Sequence, residues 1–403
     1  MFKKPIVNTI IQVISKGLTV IFGLVVTAIL VRKLGVANYG IYILISSCFI
    51  FLDAIADFGT KIIGVRELAA SKSERKQIWQ DIFWLRIMMT GVAFVLGLGL
   101  VLIWPGLRTV RVEAVVALMM IWLTTMAGSL EIVWQWRLMM GKKVGVDILF
   151  SGLFFVLVWI WKENLTLLWV YLLVLIARGL SLGWGIRSFL KMWKIDWKRF
   201  FEVRWKKIKK ILIECWPMGA YLLIFTSYDR AVDSLMIDKM LGVGAVAWYG
   251  LAYKIYAVLV QPAYFFTVSI FPLMARRETD DKLFFRSAGL LGLTLVFLIP
   301  IVYFLAPNII AILAGGGFGP SVIVLRILLA ALLFSYFNHL VGFGLISKGK
   351  QGQMLRLGLA SLVFNLVANV LIIPRFGIEG AAGVTVATEG LSLILVLRQL
   401  RAS

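Results

Sequence analysis

Twelve stretches of this chain are apolar enough, and about long enough, to cross a lipid bilayer. The hydrocarbon core of a bilayer is about 30 Å thick, so a spanning helix needs roughly 20 mostly apolar residues. With that window the sequence predicts an all-α integral membrane protein. The twelve predicted helices lie near 6–31, 40–60, 82–104, 112–136, 146–161, 165–190, 211–236, 244–273, 284–305, 321–347, 355–373 and 378–398.

Lysine and arginine residues crowd the connections on one side of these helices. If the N-terminus lies inside, the connections on the inner side hold 28 of the 42 Lys and Arg residues, and the outer connections hold seven. Because cationic loops are poorly translocated, this asymmetry predicts a multi-pass protein with both termini in the cytoplasm. The N-terminal apolar run has no small-residue cleavage pattern after it, so we expect it to be retained rather than removed as a signal peptide.

Composition excludes a soluble protein and explains the net charge. Hydrophobic residues make up 61% of the chain and charged residues 15%, which is incompatible with a single soluble domain. A net charge of +22 would suggest nucleic-acid binding in a soluble chain. Here most of the positive charge lies in the connections on the inner side, where it faces an anionic lipid leaflet. We therefore expect membrane lipids as partners, and no nucleic acid. Cys48 and Cys215 fall at different depths, which predicts two free thiols.

The chain divides by pattern into two halves of six helices. The predicted domains are an N-terminal bundle, 1–203, and a C-terminal bundle, 204–403. The connections KLGVANYGIY (33–42) and KMLGVGAVAWYGLAY (239–253) occupy equivalent places in the halves and share LGV and YG, which favours two parallel repeats. The stretch 191–210 interleaves Trp and Phe with Lys and Arg. It is typical of an amphipathic segment at the headgroup level and equally of a linker.

The sequence contains no pattern typical of an enzyme. It has no nucleotide-binding P-loop, no metal-spaced His/Cys cluster and no nucleophile elbow, so we expect no catalytic residue and no bound metal. A membrane-bound polysaccharide polymerase or glycosyltransferase usually needs a large loop or domain for its catalytic groups, and the connections here are short. A scaffold for synthesis enzymes stays open at this point.

Two regions carry a family resemblance. The passage YDRAVDSLMIDKMLGVGAVAWYGLAYKIY (228–256) resembles the helix 7 to helix 8 passage of bacterial Wzx-type polysaccharide flippases. The passage LISKGKQGQMLRLGLASLVFNLVANVLIIPRFGIEGAAGVTVATEG (345–390) resembles their helix 11 to 12 passage, and LVRKLGVANYGIY (30–42) is similar to their first loop. These loose motifs are shared across the multidrug/oligosaccharidyl-lipid/polysaccharide exporter superfamily.

The resemblance implies two six-helix bundles around a central cavity, as in MATE transporters. It implies a flippase of the bacterial inner membrane that moves undecaprenyl-diphosphate-linked oligosaccharide from the inner to the outer leaflet by alternating access. The transported oligosaccharide would be used for cell-surface polysaccharide of the O-antigen, capsule, exopolysaccharide or teichoic-acid type. The implied protein partners are a polysaccharide polymerase or glycosyltransferases. The alternative on the same fold is an ion-coupled drug/cation antiporter.

Cations inside the predicted helices are candidates for binding the cargo diphosphate. An ionisable side chain at the bilayer centre costs at least ~2.5 kcal/mol on insertion scales, so it needs a partner, a cavity or a route to the headgroups. Lys16, Arg178 and Lys254 fall near mid-membrane, and we predict that they bind the substrate, with structural ion pairs as the alternative for the two lysines. Arg86 and two other arginines fall near predicted helix ends, where snorkelling to the headgroups is expected.

Acids inside the helices are candidates for ion coupling. Asp53, Asp57, Asp229 and Asp233 either form structural ion pairs or include a carboxylate that binds Na⁺ or a proton. Among them, Asp53 is our preferred coupling residue, because no cation is near it in sequence. No cofactor other than such an ion is expected. Asn365 and Asn369, one helical turn apart, are predicted to hydrogen-bond to another helix or to sugar hydroxyls, and packing is favoured.

Overall fold

The structure is a computed structural model that describes residues 3–71, 73–195, 200–227, 232–274, 281–347 and 351–401. Helices are the regular elements of these ranges. The α-helices are α1 (Lys3–Asp57), α2 (Thr60–Ala70), α3 (Arg75–Ile103), α4 (Arg111–Trp136), α5 (Met140–Trp161), α6 (Leu167–Leu190), α7 (Trp205–Thr226), α8 (Val232–Leu241), α9 (Val243–Met274), α10 (Asp281–Ala314), α11 (Pro320–Ser347) and α12 (Gln351–Arg401). Short 3₁₀ helices, Pro105–Val110 and Lys162–Asn164, follow α3 and α5.

Apolar helices with apolar surfaces identify a membrane protein. Within the described residues, nine helices are long and apolar enough to cross a membrane, by length and composition. Large apolar side chains lie on their surfaces: Ile103 is 77% exposed and Phe304 is 75% exposed. A helix pairs its backbone groups internally, which a segment in hydrocarbon requires. The predicted all-α, multi-pass membrane protein is confirmed.

Two predicted helix pairs, 1–2 and 11–12, form the long helices α1 and α12, and each is broken at a glycine. Gly35 (φ 69°, ψ −179°) and Gly377 (φ 59°, ψ −145°) have backbone angles that only glycine adopts readily. At Gly377 the chain folds back, because a Cβ atom built on Gly380 would lie 2.8 Å from Cγ2 of Ile372. In a straight helix these two residues would be separated by about 12 Å along the axis. The arms of α12 therefore correspond to predicted helices 11 and 12, while the total of twelve crossings stays a prediction.

The structure forms two compact units. Unit 1 comprises Met1–Leu34 and Ile45–Thr226, and unit 2 comprises Gly35–Leu44 and Ser227–Ser403. Helix α7 groups with unit 1, where Glu214 accepts a hydrogen bond from Arg66 and the buried Cys215 joins the core. The predicted bundles 1–203 and 204–403 stay a prediction. Both cysteines are free and buried.

The linker after α6 is docked on α3 within unit 1. Nε1 of Trp84 donates to the carbonyl of Phe200 at 2.8 Å, and Nε2 of Gln80 donates to the same carbonyl at 2.9 Å. Arg204 donates from Nε to Oδ1 of Asp81 at 3.0 Å and from Nη2 to the other carboxylate oxygen. These bonds raise the pKa of the Arg204 guanidinium above its usual value. The described part of the linker is therefore bound to α3 through a backbone carbonyl, that of Phe200, and through a side chain, that of Arg204.

Candidate functional site

A buried carboxylate in unit 2 lies among neutral hydrogen-bond donors. Asp233, in the first turn of α8, is 2% exposed. Its Oδ2 accepts from the hydroxyl of Tyr249 on α9 at 2.7 Å and from Oγ1 of Thr385 on α12 at 3.4 Å. Its Oδ1 accepts from Nδ2 of Asn369, on the other arm of α12, at 2.8 Å. Within the described residues no cation pairs with this carboxylate.

The network around Asp233 contains an acceptor without a donor. Nδ2 of Asn369 also donates to Oδ1 of Asn365 at 3.1 Å, and Nδ2 of Asn365 lies 3.4 Å from Oγ1 of Thr388. Oδ1 of Asn369 is buried and has no hydrogen-bond partner among the described residues. An unsatisfied buried carbonyl costs free energy. A bound cation would satisfy it, and one carboxylate with neutral oxygens suits a monovalent hard cation, since divalent sites carry more carboxylates.

In unit 1 the buried carboxylate of Asp57 is held by cations instead. Nη1 of Arg86 lies 2.6 Å from Oδ1 of Asp57, and Nζ of Lys61 lies 3.6 Å from the same oxygen. Arg86 also donates to the hydroxyls of Thr60 at 2.6 Å and Ser129 at 3.1 Å. The arginine is 2% exposed, so the expectation that it snorkels to the headgroups is wrong. The network holds the end of α1 against α3 and α4.

A second charged cluster in unit 1 contains Arg178 and Lys143 beside carboxylates. Lys143 lies 3.5 Å from Glu131 and 3.2 Å from Asp147. Nη1 of Arg178 lies 3.9 Å from Asp147, and its guanidinium stacks 5.2 Å from the ring centre of Phe150. Nε of Arg178 is buried without a hydrogen-bond partner among the described residues. Arg178 therefore keeps a donor available inside the protein.

The remaining predicted site residues fall at different places. Asp53 accepts a hydrogen bond from Oγ1 of Thr124 at 2.7 Å, and its charge acts on Arg178. Lys254 lies half-buried on α9. Lys16 lies in α1 with its side chain outside the described residues, and Asp229 lies outside them altogether. The structure thus gathers Asp53 and Arg178 in unit 1 and separates Asp57 into its own network.

Sequence reasoning missed two members of the Asp233 network. Tyr249 belongs to the YG motif of the repeat, and Thr385 follows Gly380-Ala381-Ala382 in the second arm of α12. Nothing in the local sequence marks either residue as a partner of a carboxylate. Asn365 and Asn369 were recognised as a pair on one helical face, but their hydrogen bonds show that this pair contributes to a carboxylate site. The sequence signal for this site is an acid inside a predicted membrane helix, Asp233, together with two asparagines one helical turn apart on another predicted helix.

Helices that expose apolar surface and bury charged and amide groups define an integral membrane protein with a polar interior. Residues 6–278 match the model of the family described as polysaccharide biosynthesis protein, and the chain belongs to that family. This match covers Asp233 and Tyr249, while Asn369 and Thr385 lie beyond it. The family and the transporter fold confirm the predicted resemblance to polysaccharide flippases.

Three known proteins extend the comparison. The chain is 26% identical over 182 residues to the "Probable flippase AglR" of Haloferax volcanii, a match that covers 42% of this chain and 37% of that protein. A structure of "Lipid II flippase MurJ, inward closed conformation" aligns with a TM-score of 0.76 at 14% identity, over 97% of this chain and 87% of that one. An inward-facing multidrug resistance MATE family transporter aligns with a TM-score of 0.74 at 15% identity, over 95% and 94%. The fold is that of these transporters.

Proposed function

We propose that this protein is a flippase that moves undecaprenyl-diphosphate-linked oligosaccharide from the inner to the outer leaflet of the bacterial inner membrane. The observation that carries the proposal is the family match over residues 6–278. The similar proteins named above, a probable flippase and a lipid II flippase, support a lipid-linked cargo. The exported sugar would then reach a polymerase or glycosyltransferases as cell-surface polysaccharide.

The cargo diphosphate is assigned first to Arg178, which has an N–H donor without a partner among the described residues. Arg178 supports this role, because its side chain is 13% exposed, its nearest carboxylate is 3.9 Å away and its Nε is unsatisfied among the described residues. A diphosphate accepts several charge-assisted hydrogen bonds in a low-dielectric site. Lys254 and Lys16 are proposed as further substrate-binding cations from their mid-membrane positions in the sequence. The lipid tail stays in the bilayer, so no bond is made or broken.

Ion coupling is assigned to Asp233 rather than to Asp53. Asp233 is buried among neutral oxygens and amides, so its charge is available to Na⁺ or a proton. A cation that binds one conformation better than the other shifts the equilibrium between them. The proposed transport cycle is alternating access between inward- and outward-open states, and this shift would drive export. Both termini would lie in the cytoplasm.

A proteoliposome assay tests the proposal. Purified protein is reconstituted with a fluorescent undecaprenyl-diphosphate oligosaccharide, and the label in the outer leaflet is removed by an impermeant glycosidase. The flippase exposes the whole labelled pool to the enzyme, and exposure is faster with an imposed Na⁺ or H⁺ gradient. An Arg178→Gln protein loses most of this activity, whereas Arg187→Gln, an exposed arginine near the end of α6, keeps it. Labelled lipid that stays protected would contradict the proposal.

The alternative is a drug/cation antiporter on the same fold. It is favoured by the cluster in unit 1, in which Asp53, Glu131 and Asp147 outnumber Lys143 and Arg178. The same vesicles loaded with an organic cation distinguish the two functions. Gradient-driven efflux of that cation without movement of the lipid-linked oligosaccharide would establish the antiporter.

A further inference from the structure

A cavity of about 700 Å³ in unit 1 lies between the start of α3, the end of α4 and the docked linker. We call it the α3–linker cavity. Its volume falls in the range of about 300–1,000 Å³ that is typical of small-molecule sites. The residues around it come from connections that the positive-inside pattern assigns to the cytoplasmic side. No role in transport described above uses them.

The charge of the cavity is strongly positive. Among the described residues, the cations Arg75, Lys76, Arg137 and Lys194 line it, and Glu74 is the one carboxylate there. None of the four cations forms an ion pair with a carboxylate in the described part of the chain. Within the described ranges, the side-chain hydrogen bonds of these four residues are those from Nε of Arg75 to the carbonyls of Leu68 and Ser71. The cavity therefore holds several cationic donors that have no acceptor in the part of the chain that the structure describes.

Tryptophan rings hold two of these guanidinium groups in place. Arg75 lies 4.8 Å from the ring centre of Trp136, and Arg137 lies 5.5 Å from the ring centres of both Trp136 and Trp193. Cation–π contacts fix the plane of a guanidinium and leave its N–H groups free at the edge. Two oriented guanidinium groups suit the bidentate geometry of a phosphate.

The N-terminus of α3 adds to the positive potential. Arg75 and Lys76 occupy the first turn of this 29-residue helix, and no side chain caps it. The backbone N–H groups of a first turn lack acceptors within the helix, and the helix dipole disfavours cations there. Cations at such a position are stabilised when an anion binds between them and the helix end.

We propose that the α3–linker cavity binds a phosphate-bearing anion. Two sources supply this chemistry on that side of the membrane: the headgroup of an anionic phospholipid and a soluble phosphate or diphosphate. The site is separate from the proposed cargo cations and does not depend on the transport function. Binding would clamp α3, α4 and the linker together, since all three contribute cationic side chains.

The test compares two charge-matched double variants of the full chain. Arg137→Gln with Lys194→Gln removes two charges from the cavity. Arg187→Gln with Lys191→Gln removes two exposed charges nearby that do not line it. Each protein in phosphatidylcholine nanodiscs is titrated calorimetrically with inorganic pyrophosphate. In parallel, native mass spectrometry counts the phosphatidylglycerol that each retains from mixed-lipid nanodiscs.

We expect the cavity variant to bind one of the two probes about tenfold or more weakly than the original protein, which corresponds to the loss of one charge-assisted hydrogen bond. The control variant keeps the original affinity. Pyrophosphate binding would identify a soluble ligand, and selective retention of phosphatidylglycerol would identify a lipid headgroup. Binding of neither probe, or an equal loss in both double variants, would overturn the proposal. An unchanged thermal midpoint shows that the variants are folded.

Discussion

Asp57 in unit 1 and Asp233 in unit 2 are both buried carboxylates at a helix terminus, yet their surroundings differ. Asp57 is neutralised by Arg86 and Lys61, while the described partners of Asp233 are a phenol, an amide and a hydroxyl. The first arrangement stabilises the fold, since the carboxylate of Asp57 is paired with cations. The second leaves a negative charge that a mobile cation can neutralise. Burial alone therefore does not distinguish the two carboxylates; the charge of their partners does.

The largest effect is expected from breaking the ion pair in unit 1. Arg86→Leu leaves the Asp57 charge buried with Lys61 as its remaining cation, and removal of one partner of a buried pair typically costs about 3–5 kcal/mol. Thermal unfolding in detergent measures the loss. The double variant Arg86→Leu with Asp57→Asn should recover part of it, because no charge is then stranded. An Arg86→Leu protein as stable as the original would show that this pair is not structural.

Removal of the Asp233 charge should abolish the response to a coupling ion. For the original protein, sodium at about ten times its dissociation constant stabilises the folded state by about 1.4 kcal/mol. Asp233→Asn should lose this sodium-dependent increase in thermal midpoint, measured against choline chloride. If protons couple instead, the variant loses the dependence of transport on a pH gradient. A variant that responds fully to both ions would remove Asp233 from the coupling site.

A smaller effect is expected at Thr385. Thr385→Val keeps the volume but removes one oxygen near the Asp233 carboxylate, so the sodium concentration for half-maximal stabilisation should rise several-fold, as for one hydrogen bond worth about 1 kcal/mol. Thr267→Val is the matched control, because the Thr267 hydroxyl donates to Ala263 on its own helix. Equal responses in the two variants would exclude Thr385 as a ligand.

The smallest effect is expected at Asp53, our preferred coupling residue from sequence. Its carboxylate accepts from Thr124 and acts on Arg178, so Asp53→Asn keeps a hydrogen-bond acceptor there. We expect the ion response to stay unchanged and stability to shift by no more than about 0.5 kcal/mol. Loss of gradient-driven transport in this variant, with Asp233→Asn active, would reverse the comparison between the two units.

The sequence predicted the helices well because apolar length decides membrane insertion, and it predicted the side-chain partners poorly because they come from distant segments. Arg86 shows the difference. The window placed the start of its helix near 82, whereas α3 begins at Arg75, so the residue lies about three turns inside rather than at an end. The acid that pairs with Arg86 is Asp57, the last residue of α1. Likewise Asn369 and Thr385 meet Asp233 only because the chain reverses at Gly377.

That reversal also bears on how the last helix pair enters the membrane during synthesis. The arm that carries Asn365 and Asn369 is costly to insert alone, since amide groups in hydrocarbon need hydrogen-bond partners. A glycine turn brings the second arm alongside it, and Asn365 lies 3.4 Å from Thr388 across the hairpin. The two arms can thus leave the translocon as one preassembled unit that shields its own amides, and then meet Asp233, which is synthesised earlier in the chain.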